Sequence, residues 1–436
     1  MRLEVSLYGD KSAVLGWQQL FEQEKTPYRY AGTEVTSLSS VNVVTGYPEG
    51  QIPAKNLASN DQILIVEPQG DYHQTQKTLQ HSSIVFDHNI TQLPRNASLE
   101  LLDPRCGPNT APMLRQLIVE SYHRLNKPYV QIWYYSEPKP TVFLLRQDID
   151  YVDIKATRSL GRLSAKHGIH GTYFVNVSGE EEFDEDIGHL TLEHPTTPDR
   201  IEPLSRLISG DNEIGNHGYW HWVFPDVQRN KENIRRAYTF LTGRLHTPVK
   251  GYASPGAEWN SELQRALEAC HMEYSSDGLR DGGFPFFPYV SGKFASTLEV
   301  PCYVQCDASF EKPDFPALSG IIQDYFLKLI TTNLNTHQPI AILGHPDFHG
   351  DRLEEFYAPI FRAINKHHIP SMSMGEYARW WKKRQGMNIL CDLADNMLTV
   401  TSQNTGFAVS VTTNKGNWLY PMVVSHHTTN TLRVVL

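Results

Sequence analysis

Val142-Phe143-Leu144-Leu145-Arg146-Gln147-Asp148-Ile149-Asp150 is the stretch on which the fold turns: four apolar residues, then a cation and two carboxylates at alternate positions. A short apolar run of this kind suits a buried strand of a parallel sheet. In extended chain, side chains two residues apart share a face, so Arg146, Asp148 and Asp150 point one way at the strand's carboxyl end. Two neighbouring carboxylates beside a cation can divide labour, one holding a metal and the other staying free as a base. The same residues also suit an acidic loop that caps the following helix, with Asp153 as N-cap.

Working outward, apolar strand runs alternate with helical patterns from about 140 to 385. Strands are expected at Val142–Leu145, Gly171–Val175, Glu213–Gly215, Val249–Tyr252, Leu298–Val300 and Ile340–Leu343, and helices over 153–167, 229–243, 260–270, 319–335 and 354–367. That βαβ rhythm predicts a parallel sheet or closed barrel, whose site lies at the carboxyl ends of the strands. Residues 1–125 read as an N-terminal α/β domain with strands at Leu3–Leu7, Gln62–Val66 and Ser83–Phe86, and residues 387–436 as a small antiparallel β module. The fold class is therefore α/β, with 126–386 as the central domain. Nothing in 1–125 concentrates catalytic residue types, so that part is expected to pack or bind a partner.

Lys and Arg total 39 against 48 Asp and Glu, a net charge of −9, which argues against a nucleic-acid binder working through a basic surface. No run of about 18 apolar residues exists to span a membrane. The N-terminus, read as a first strand rather than a secretory signal, and five scattered cysteines (Cys106, Cys270, Cys302, Cys306, Cys391) predict a reduced, cytoplasmic protein without a disulfide framework.

Two histidine pairs share an i, i+4 spacing, His217/His221 and His345/His349. On a helical face such a pair can hold one cation. With 19 histidines in 436 residues, chance alone supplies about one such pair, so position has to decide. Both pairs directly follow apolar strands. His345 ends its strand, where an imidazole can protonate a leaving group. Two histidines and a carboxylate make a common catalytic zinc set that leaves room for water.

At this point the chain resembles the polysaccharide deacetylases, carbohydrate esterase family 4, over roughly residues 140–380. The resemblance implies a distorted (β/α) barrel and five short motifs in fixed order. Asp148 would be the catalytic base, Asp150, His217 and His221 the metal ligands, and His345 the catalytic acid. The third motif falls near Tyr252-Ala253-Ser254-Pro255-Gly256, the fourth on Asp277, and Glu299-Val300-Pro301 matches a strand of many relatives. Three departures stand out. Ile149 separates the two aspartates, Gly218 replaces Ser/Thr between the histidines, and Ala253 stands where the family has an arginine partnering the base. Arg146, on the same strand face as Asp148, is expected to restore that contact.

The implied chemistry is metal-dependent hydrolysis of an N-acetyl group on an amino sugar, with zinc the first choice of divalent metal. A backbone N–H near Gly256 would help hold the oxyanion, and Trp220, Trp222, Trp259 and Phe284–Phe287 are candidates for stacking on sugar rings, though each equally suits a core position. A cytoplasmic enzyme would act on a sugar-nucleotide or lipid-linked precursor of a surface polysaccharide. A deformylase or other amide hydrolase would use the same residues, and the missing third-motif arginine leaves open a non-catalytic sugar-binding pseudoenzyme.

Overall fold

The computed structural model describes residues 1–35, 39–47, 61–68, 85–87, 89–150, 152–177, 201–309, 315–422 and 430–436. The chain divides into two units, one made of Met1–Pro138 with Trp381–Leu436 and the other of Lys139–Trp380.

The first unit begins with β1 (Val5–Tyr8), α1 (Leu15–Glu24), β2 (Tyr28–Gly32), β3 (Val41–Tyr47), β4 (Ile63–Pro68), β5 (Val85–Asp87), β6 (Ile90–Gln92), α2 (Thr110–Arg124) and β7 (Tyr129–Ile132). The sheet order is β2-β1-β3-β4-β6-β5, parallel except for β5 against β6. The apolar run Ile63-Leu64-Ile65-Val66 is wholly buried, as a central parallel strand requires.

The second unit runs β8 (Phe143–Ile149), α3 (Ile154–His167), β9 (Gly171–Val175), α4 (Ile201–Ser209), β10 (Glu213–Asn216), α5 (Val227–Leu245), β11 (Gly251–Tyr252), α6 (Ser261–Ala269), β12 (Tyr274–Ser275), a hairpin of β13 (Tyr289–Val290) and β14 (Lys293–Phe294), β15 (Leu298–Glu299), α7 (Phe315–Thr336), β16 (Ile340–Gly344) and α8 (Leu353–Lys366). Among the described residues, seven strands form one parallel sheet in the order β15-β12-β11-β10-β9-β8-β16. It curls so far that Tyr303, just past β15 at one edge, bridges to Ile342 of β16 at the other, its N–H donating to the Ala341 carbonyl at 3.0 Å. This is the distorted (β/α) barrel expected from the sequence.

The pleat explains where the core and the site lie. Phe143, Leu145 and Ile149 of β8 join Tyr173, Ile214, Leu160 and Phe361 in the layer between sheet and helices. Burying each such side chain stabilises the fold by about 1.5–3 kcal/mol. The alternate positions, Arg146 and Asp148, therefore face the barrel interior, where the Arg146 guanidinium sits 5.5 Å from the Phe174 ring centroid. Phe174 fits there because its neighbour Gly215 has no Cβ, which would stand 2.2 Å from the ring. Three barrel helices start on side-chain caps: Asp153 accepts from Ala156 N–H at 2.7 Å, and Asp226 and Asn260 do the same for α5 and α6. Capping thus falls to Asp153, leaving Asp148 and Asp150 for other work.

The closing strands are β17 (Leu390–Ala394), β18 (Met397–Ser402), β19 (Phe407–Thr413), β20 (Gly416–Met422) and β21 (Asn430–Val435). They form two antiparallel sheets, β17-β18-β21 and β20-β19-β7. β19 pairs with β7 in register Val411–Val130, so residues 407–422 share a sheet with residues 129–132. Val409 and Val411 are fully buried, and that burial is what the shared sheet supplies.

Candidate metal and catalytic centre

Asp150 follows β8, and His217 and His221 lie in the loop after β10, all at the carboxyl end of the sheet. The Oδ1 atom of Asp150 is 3.1 Å from His217 Nε2 and 3.2 Å from His221 Nε2, and the two Nε2 atoms are 3.2 Å apart. The expectation of a helical His217/His221 pair is not met. The two residues lie in a non-helical bend, because Gly218 takes φ +82°. A Cβ there would stand 2.6 Å from the Trp220 carbonyl oxygen and 3.1 Å from the Asn233 amide nitrogen, which is why glycine occupies the place of Ser/Thr. Asn233 pins the bend by accepting from the N–H groups of Tyr219 and Trp220.

The residues present fit a divalent cation. Asp150 Oδ1 is buried and carries no hydrogen bond. His217 Nδ1 is 2.8 Å from the Ala253 carbonyl, which can only accept, so the proton is fixed on Nδ1 and the Nε2 lone pair faces the cluster. Three donors about 3.3 Å apart are what tetrahedral zinc with bonds of about 2.0–2.1 Å requires. Ala253 thus contributes its backbone, even though it lacks the side chain expected of that position.

Asp148 lies alongside, its Oδ2 3.9 Å from His217 Nε2. Arg146 grips it with two prongs, Nε to Oδ1 at 2.8 Å and Nη2 to Oδ2 at 2.6 Å. Burial would raise the Asp148 carboxyl, but the Arg146 guanidinium, with His217 and His345 nearby, offsets this and holds it below its ordinary value. Arg146 is itself anchored by the Ser276 carbonyl and by Cys302 Sγ at 3.2 Å. Arg146 is 1% exposed, enclosed behind the Asp148 carboxylate.

His345 follows β16, with Nε2 3.9 Å from Asp150 Oδ2. Its Nδ1 is held by Asp307 Oδ1 at 2.5 Å, and its backbone N–H donates to Asp307 Oδ2 at 2.7 Å. Burial would lower the imidazole, but the Asp307 charge and hydrogen bond, with smaller contributions from Cys306 and Asp150, together outweigh it and raise His345 well above its usual value. Burial likewise opposes Asp307 ionisation, and His345 and His349 together still bring its carboxyl down to about 2. Gly344 makes room for this, since a Cβ there would crowd Tyr357 Oη and Asp307.

Asp307 is therefore the carboxylate paired with His345. Sequence reasoning missed it because it sits in a single 3-10 turn, Asp307–Ser309. The available signal was its place after the strand-like run Val300–Gln305. Asp277 instead accepts from the Ser254 N–H at 3.0 Å, and its own N–H donates to Glu299 at 3.0 Å, tying the β11 and β12 loops to β15.

The expected sugar-stacking residues are more committed than free. Trp220 is half-buried against the barrel core, with Arg236 4.9 Å from its ring. Trp259 is half-buried beside Leu263, its Nε1–H donating to Gln264 at 3.3 Å, and Phe284 and Phe286 are buried. Trp222 is exposed at 39%. Gly256 is exposed, at φ +60° in the turn after β11.

No family model matches the chain, and no curated protein matches it. Solved structures similar to it include one termed a polysaccharide deacetylase from Mycobacterium smegmatis, at 16% identity and TM-score 0.46, covering 58% of this chain and 94% of that one. The chitin deacetylase of Colletotrichum lindemuthianum matches at 13% identity and TM-score 0.38, over 55% and 87%. A family 4 carbohydrate esterase pseudoenzyme of Bacillus anthracis matches at 11% identity and TM-score 0.33, over 55% and 66%. Among the described residues, no helix is long and apolar enough to cross a membrane.

Proposed function

We propose that this chain is a metal-dependent hydrolase that removes the N-acetyl group from an amino sugar. One observation carries the reading: a carboxylate paired with a buried guanidinium and an imidazole paired with a buried carboxylate flank the Asp150–His217–His221 donor set. Hydrolysing an amide needs both, because the attacking water must lose a proton and the departing nitrogen must gain one.

Asp150, His217 and His221 would hold the cation, with zinc the metal that suits two imidazoles and one carboxylate. When bound, the cation supplies Lewis-acid polarisation of the amide carbonyl. Asp148 takes the water proton through the oxygen nearer the donor set, while Arg146 stabilises the carboxylate and fixes its plane. His345 Nε2–H gives its proton to the amine, and Asp307 stabilises the imidazolium until then. Water and amide become acetate and amine, and His345 regains from solvent the proton it gave, while Asp148 releases the one it took. The exposed backbone at Gly256 is the proposed oxyanion donor.

The test is release of acetate from a panel of N-acetylated amino sugars by metal-loaded protein, with Asp148→Asn as the control. A wild type that carries one divalent cation per chain and releases acetate supports the reading. No release from any panel member by fully loaded protein refutes it.

A further inference from the structure

We propose that His349 is a positioning residue for the acid: it fixes the Asp307 carboxylate, and through it the His345 imidazole. The inference rests on the hydrolase reading for its kinetic meaning but stands on its own geometry.

His345 and His349 share the spacing of His217 and His221, yet they converge on an anion rather than on a cation site. A 3-10 turn, Pro346–Phe348, brings His349 back beside His345. His349 Nε2 lies 2.9 Å from Asp307 Oδ2. That oxygen also accepts from the His345 N–H at 2.7 Å, while Oδ1 takes His345 Nδ1 at 2.5 Å and Ala308 N–H at 2.9 Å. Two donors on each oxygen leave the carboxylate a single plane in which it can lie. Asp307 is wholly buried, so a lost donor is not replaced by solvent. The His349 ring is itself fixed, 4.3 Å from the Phe356 ring and 5.1 Å from Tyr357. His349 therefore acts on the reacting atoms only through Asp307, with its own side chain 1% exposed.

The experiment compares wild type, His349→Phe and His349→Gln, each loaded with metal and checked for cooperative unfolding. Gln can place an amide N–H near the Nε2 position, whereas Phe fills the space without a donor. In His349→Phe, kcat should fall by about tenfold with KM and metal content unchanged, and His349→Gln should recover most of it. A second readout does not need activity. The short Asp307–His345 bond should give a low-field proton resonance, absent from Asp307→Asn, that moves upfield in His349→Phe and returns in His349→Gln. If His349→Phe keeps both the wild-type kcat and the wild-type resonance, the proposal is overturned. If wild type releases no acetate, the hydrolase reading fails, while the resonance still decides whether His349 fixes Asp307.

Discussion

Arg146 and Asp148, two residues apart in one strand, are joined by bonds of 2.8 and 2.6 Å inside the barrel, where both are almost wholly buried. Arg146→Met would leave a buried carboxylate unpaired and should destabilise the fold by about 3–5 kcal/mol, with Arg146→Lys recovering part. The sign with pH follows from the direction of the Asp148 shift. Its folded value is depressed, so the pair stabilises above the unfolded value of 3.8 and the benefit is lost as pH falls below that. Denaturant midpoints of both variants at neutral and acid pH check this. An Arg146→Met protein as stable as wild type at neutral pH would contradict it.

Metal analysis should find one divalent cation per chain. His217→Ala, which removes both a donor and its tautomer lock on Ala253, should weaken binding by at least about 100-fold. Chelation should lower the Tm of wild type and leave that of His217→Ala unmoved. Equal metal content in the two proteins would count against the assignment.

Asp307→Asn tests the acid. Because Asp307 raises His345, the pair stabilises the fold below the unfolded imidazole value near 6.5, and that contribution is lost as pH rises through the elevated folded value. Without the carboxylate, the alkaline limb of kcat/KM should move to lower pH and the maximum should fall by about 10–100-fold. An alkaline limb that stays put would exclude His345 as the titrating acid.

Gly218→Ala is expected to cost about 1–3 kcal/mol, since φ +82° strains any L side chain and the Cβ meets the Trp220 carbonyl. The bend that joins His217 to His221 should loosen with it. Weakened metal binding alongside lower stability is the expected result, and titration calorimetry with thermal unfolding reads both.

Glu299 and Asp277 form a buried acidic pair, in which burial first and the Asp277 charge second raise the Glu299 carboxyl. The folded state keeps a proton there that the unfolded chain releases above 4.5, so stability should fall as pH rises from that point. Glu299→Gln should flatten the fall, seen as urea midpoints at about pH 5 and about pH 8 that lie closer together than in wild type.

Much of the barrel was legible because its helices and strands carry regular patterns. β9 lies where its apolar run predicts, and α3 and α8 begin and end within a residue or so of expectation. The β8 alternation placed Arg146 and Asp148 on one face correctly, since a pleat has a fixed period. The histidine pairs were harder. Spacing alone suggested a helical face, whereas one glycine dihedral at 218 and one 3-10 turn at 346–348 set the actual geometry. Asp307 carried no period at all, for a single turn has none. Residues 178–200, which follow β9, lie outside the described residues, as does part of the expected strand Ser83–Phe86.

Because Arg146 reaches Asp148 from within β8, the registry of one strand sets how readily that carboxyl ionises. The turn around Ala253 and Gly256 is relieved of that duty, so side-chain changes there leave the ionisation of Asp148 untouched.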